Sequence, residues 1–143
     1  MTTKLKPPVS FWIISALALI WNLMGVSAYL STALMDEATL AQLPEQEIEL
    51  MNAMPSWVMG AFAVGVWFGA LGSLFLLLRK ALAQLFLMLS LLGVLVQENY
   101  VFFLSDTLEV KGSSAAIFPI IIIVISVFLY FYAKKAERKS WIA

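Results

Sequence analysis

Four apolar runs, residues 10–32, 56–78, 81–104 and 115–133, constrain this chain more than any other feature. Each has the ~20 residues that an α-helix needs to cross a bilayer. Inside lipid the backbone must satisfy its own N–H and C=O groups, so runs of this kind become helices. Hydrophobic residues make up 62% of the chain and charged residues 13%, with a mean hydropathy of +0.93. That balance leaves too little polar surface for one soluble domain. The expected fold is an all-α membrane protein, a single domain over 1–143, with four antiparallel transmembrane helices and an acidic connector at 35–55.

The chain contains no histidine and no cysteine. Thiol nucleophiles, disulfides, zinc sites built on those residues and a histidine switch are thereby excluded. No metal and no other cofactor is expected. Proton or cation chemistry inside the membrane falls to Glu98, within Gln97-Glu98-Asn99-Tyr100, which interrupts the third apolar run. A carboxylate within a span is costly enough to count as a functional candidate.

Lys4, Lys6 and Pro7-Pro8 precede the first span. Its positive start and the small residues Val26-Ser27-Ala28 also fit a signal peptide, but the length of the apolar run favours a retained helix. Ala18, Asn22, Gly25 and Tyr29 recur at spacings of four, three and four and share one face. Ser90, Gly93, Gln97 and Tyr100 do the same on the third span. At about 1.5 Å per residue, Asn22 and Gln97 lie within roughly 5 Å of one depth, which opens an amide pair between those helices. Glu98 points about 100° away from Gln97, toward a neighbouring helix, a second copy of the chain or the outer headgroups.

In the second span Ala61, Gly65, Gly69 and Gly72 form a stripe of small residues that suits close helix packing, inside the chain or between two copies. Trp21 and Trp67 sit near mid-depth, away from the interfacial belts. Within 35–55, Leu40, Leu43, Ile48, Met51 and Met54 suit one or two amphipathic helices, the second opened by Pro44 at its first position. Arg79-Lys80 separates spans two and three so tightly that they must form a hairpin. Pro119 falls in or just after the first turn of the fourth span, whose β-branched run Ile120 to Ile125 suits lipid contact, and Trp141 is expected at the inner headgroups.

Charge predicts the orientation. Lys4, Lys6, Arg79, Lys80, Lys134, Lys135, Arg138 and Lys139 fall on one side of the four spans, and Lys111 alone on the other. The positive-inside rule therefore expects cytoplasmic N and C termini. So strong a bias also argues against dual-topology antiparallel dimers.

Trp21-Asn22-Leu23-Met24-Gly25-Val26, Phe68-Gly69-Ala70-Leu71-Gly72, Arg79-Lys80-Ala81, Gln97 with Tyr100-Val101-Phe102-Phe103, Pro119 and Lys139-Ser140-Trp141 together span essentially the whole chain. In these residues the chain resembles a family of small bacterial four-helix membrane proteins that carry a sugar-transporter label. The resemblance implies a multi-pass protein of the bacterial cytoplasmic (inner) membrane, with Asn22, Gln97 and Tyr100 as its common polar set.

The leading expectation for function is a small protein that binds or transports a small solute through a polar seam between helices one and three. Asn22 and Gln97 would bond solute hydroxyls, Tyr100 with Trp21 or Trp67 would pack on an apolar or sugar-ring face, and Glu98 would couple a proton or cation. One chain is small for such a path, so this reading expects a homo-oligomer. The alternative is a non-transporting accessory subunit that docks on a larger membrane protein. A lipid-modifying enzyme needs cooperating catalytic groups, and no motif joins Glu98 to Asp106 or Glu109, so no enzyme is expected. Nor is nucleic-acid binding, because orientation and anionic headgroups explain the basic end.

Overall fold

The computed structural model describes residues 4–143. Four of its helices are long and apolar enough to cross a membrane. The first is α1 (Val9–Ala33), capped by Pro8 and ended at Leu34, whose N–H donates to Leu30. Two short helices follow, α2 (Glu37–Ala41) and α3 (Glu45–Ala53). Asp36 caps α2 by accepting from the Thr39 N–H at 2.7 Å. Pro44 precedes α3 as its cap, one position earlier than the sequence suggests.

The second long helix, α4 (Ser56–Leu77), starts behind Pro55, and the third, α5 (Leu82–Asn99), runs on through a π-helical turn at Tyr100–Leu104. After α6 (Thr107–Lys111) and a 3-10 turn at Ser113–Ala116, α7 (Ile117–Arg138) returns the chain. Pro119 lies in the first turn of α7, where its missing N–H breaks no helical bond. Lys134 and Lys135 are helical, so the basic end is a rigid extension of α7 rather than a tail.

Around the bundle the order is α1, α4, α5, α7. Helix α4 packs most closely on α5 and, on its other side, on α1, while α7 rests against α5. Phe11 on Tyr132 and Trp21 near Phe118 close the ring between α1 and α7. Glycine sets the α4–α5 distance: a methyl group on Gly93 would fall 2.8 Å from Gly65 N and 2.9 Å from Ala61 O. Such approach lets dispersion hold helices together where lipid removes the hydrophobic drive. The α7 face carrying Ile120, Ile121 and Val124 stays exposed.

Both termini and the α4–α5 turn meet at one end. There α4 and α7 each finish in a Schellman pattern, with Arg79 and Ser140 in the left-handed region (φ 60° each). In the first, Lys80 N–H donates to Phe75 O at 2.8 Å; in the second, Trp141 N–H donates to Ala136 O at 2.9 Å. The two turns are tied together. Arg79 donates from Nε to Trp141 O at 2.8 Å and from its other guanidinium arm to Leu5 O, while Ala143 N–H donates back to Arg79 O. The Trp141 ring packs against Phe11 and Tyr132 at this end of the bundle, and Ile142 beside it is buried.

Candidate functional site

The mid-bundle polar side chains are spent on one another. Asn22 Nδ2 donates to Ser73 Oγ at 3.1 Å and to Ala18 O, in its own helix, at 2.8 Å. Its amide lies against Gly69, where Ser90 Oγ also approaches, and Ser90 donates to Gly65 O at 2.6 Å. Ala61, Gly65, Gly69 and Gly72 are all buried inside the chain, against α5 and, at Gly69, Asn22 as well. A dimer through that stripe is thus overturned, because α5 already covers it. The expected amide pair is overturned too: α4 stands beside α1, so Asn22 finds Ser73, and Gln97 lies two turns beyond Ser90 along α5.

The five residues expected around one solute do not converge. Trp21 is partly buried against Phe118 near the start of α7, and Trp67 is 44% exposed on the outside of α4. Tyr100, only 7% exposed, turns instead to the loop end of the bundle. Its ring meets Trp57 edge to face at a centroid distance of 5.8 Å, and its hydroxyl points at Ala53 O, 3.5 Å away.

Tyr100 and Trp57 belong to the wall of a cavity of about 530 Å³. Three separate segments enclose it: α3 supplies Glu49 and Leu50, the start of α4 supplies Trp57, and the π-turn with the chain just beyond it supplies Tyr100, Ser105 and Asp106. The π-turn is what allows this. Its wider backbone ends α5 in an irregular exit rather than a straight continuation, a device common at functional sites. Ser105 then bonds back to Val101 O at 3.1 Å and to Thr107 Oγ1 at 2.8 Å, which fixes the loop carrying Asp106. Of the expected set only Tyr100 lines the cavity; Glu49, Trp57 and Asp106 escaped sequence reasoning because they come from three places in the chain.

Of the three directions open to Glu98, its burial fits the neighbouring helix: it is 3% exposed inside this chain and so offers no surface to a second copy. Its Oε2 is closed off from solvent and has no hydrogen-bond partner. Buried polar atoms are nearly always satisfied, so this atom marks a position not explained by packing alone. Ser15 Oγ at the opposite end is likewise buried without a partner.

Among the described residues no three Asp or Glu gather closely enough to hold a metal ion. A second cleft, of about 260 Å³ and more open, lies between α5 and α7 beside Gln84, Met88 and Tyr130. No family model, no curated protein and no solved structure matches the chain.

Proposed function

We propose that the chain is a multi-pass membrane protein that binds a small solute in the loop-end cavity beside Tyr100 and Trp57. The observation that carries this reading is the cavity itself. At about 530 Å³ it falls within the range of small-molecule sites, and aromatic and polar groups converge on it from three segments. With Lys4, Lys6, Arg79, Lys80, Lys134, Lys135, Arg138 and Lys139 at the terminal end, the positive-inside rule puts both termini in the cytoplasm and the cavity outside. The resemblance in Trp21 to Val26 and in Gln97 with Tyr100 to Phe103 is to bacterial membrane proteins labelled sugar transporters, which suits a bacterial cytoplasmic membrane and a small transported solute.

Transport is a further part of the proposal. The seam between α1, α4 and α5 is filled by Asn22, Ser73 and Ser90 within one copy. A path from the cavity therefore runs along the boundary with a second copy, in a homo-oligomer, and Glu98, closed off inside one copy, couples a proton or cation to passage only when α5 moves to open it. The filled seam equally favours a second reading, an accessory subunit docked on a larger membrane protein through the exposed α7 face.

Thermal unfolding of wild type and Tyr100→Ala in detergent, against sugars, polyols, organic acids and organic cations, separates the two. A bound solute raises apparent stability by mass action. A compound that shifts wild type and not Tyr100→Ala is the expected result. If nothing shifts wild type, solute binding is abandoned, and crosslinking in native membranes decides whether a larger partner is present.

A further inference from the structure

We infer that the loop-end cavity selects an organic cation with an apolar body, of the quaternary ammonium or aryl-ammonium class. The inference rests on the solute-binding reading and adds the ligand's charge.

The wall chemistry points that way. Glu49 on α3 and Asp106 beyond the π-turn face the cavity from different segments, and no Lys or Arg lines it. Asp106 precedes α6 without using its side chain as a cap, so its carboxylate is uncommitted by the fold. The Trp57–Tyr100 pair lines the same cavity. Trp57 keeps 46% of its surface open while Tyr100 is held behind it, edge to face. A cation over an indole face gains from the ring quadrupole as well as from nearby carboxylates. Leu50, Leu104 and Val110 complete the walls with aliphatic surface.

Other solutes fit less well. A sugar would find hydrogen-bond partners in Gln46, Tyr100, Ser105 and the carboxylates, but it leaves two negative charges uncompensated. An anion meets two carboxylates and no base in the wall, and a phosphate-bearing lipid headgroup meets the same opposition. An inorganic divalent ion gains nothing from the Trp57 ring or the aliphatic wall, and among the described residues no three acidic groups gather to hold one. The surrounding field agrees: Asp36, Glu37, Glu45, Glu47, Glu49, Asp106 and Glu109 lie at this end with Lys111 as the single base. Fields of that sign raise the local concentration of cations and speed their capture.

The test is equilibrium dialysis of the full chain in an uncharged detergent with three probes: benzyltrimethylammonium, benzyl alcohol and methyl glucoside. Benzyltrimethylammonium is expected to bind, with Kd weakened about tenfold in Trp57→Ala and about tenfold in the double variant Glu49→Gln/Asp106→Asn, each factor equivalent to about 1.4 kcal/mol. Both carboxylates are exposed, so their amides leave the fold intact, which circular dichroism verifies. Equal binding of the cation by wild type and the amide variant overturns the inference, as does equal binding of benzyl alcohol. If methyl glucoside alone binds, and Trp57→Ala abolishes it, the cavity remains a solute site and the cation is overturned. If no probe binds, both readings fall.

Discussion

Arg79 Nε donates to the backbone carbonyl of Trp141 across 2.8 Å, joining the turn in the middle of the chain to its last residues. The same guanidinium reaches Leu5 O, so one side chain ties two distant segments to its own at one end of the bundle. Hydrogen bonds from a charged donor contribute about 1.5–3 kcal/mol. Arg79→Ala is expected to lower the unfolding free energy by about that amount, read as a fall in Tm. Arg79→Lys should recover little, because an ammonium lacks the planar fork. Ser140→Gly acts in the opposite direction, since Ser140 holds φ 60° without any side-chain compensation. It should raise stability by up to about 1 kcal/mol.

Two glycines make a matched pair of tests. A Cβ on Gly93 would collide with backbone atoms of Gly65 and Ala61, which cannot retreat as a flexible side chain does. Gly93→Ala should cost about 1–3 kcal/mol through forced separation of α4 and α5. At Gly60 the added methyl meets nothing within 4 Å. Gly60→Ala should therefore stabilise α4 by about 0.5–1 kcal/mol. Chemical unfolding in mixed micelles measures both.

The Asn22–Ser73 bond lends itself to a double-mutant cycle. Interhelical hydrogen bonds in membranes average about 0.6 kcal/mol, so Asn22→Ala and Ser73→Ala should show a coupling of that order. A coupling near zero would mean that the bond to Ala18 O alone satisfies the amide.

Glu98 carries one buried oxygen without a partner. Burying an unsatisfied polar atom costs about 1–3 kcal/mol. Glu98→Leu is expected to raise Tm while abolishing any coupled uptake in liposomes. Residues retained at the expense of stability are commonly those that function requires.

In the acidic connector, hydrogen bonds from the Thr39 side chain and N–H hold the Asp36 carboxyl below its ordinary value of 3.8. Its folded pKa is depressed, so the cap contributes above the ordinary value and is lost as pH falls through the lower folded one. The Thr39 amide chemical shift should follow that titration, with its midpoint below pH 3.8. In Asp36→Asn the titration should vanish while the cap persists.

The spans were legible because length and unbroken apolarity decide them, and Arg79-Lys80 left no room for anything but a hairpin between α4 and α5. Which helix each face meets was not legible. Lipid and core are equally apolar, so Trp67 on the outside and Leu76 in the core give the same signal in sequence. Asn22 showed its face but not its partner, because helix order depends on Gly93 fitting against Gly65 rather than on periodicity. The burial of Glu98 and the swing of Tyr100 depend on where α5 leaves regular geometry at the π-turn. Trp57 and Asp106, 49 positions apart by number, become neighbours on one wall only once that turn exists.

The partner of Asn22 lies 51 residues later in the chain. During synthesis at about 5–20 residues per second, α1 spends roughly 3–10 seconds without Ser73. Its amide is not left bare in that interval, because Nδ2 can donate to Ala18 O within the same helix. Asn22 thus travels with its own temporary acceptor, and α4 completes a polar contact that α1 has already half made.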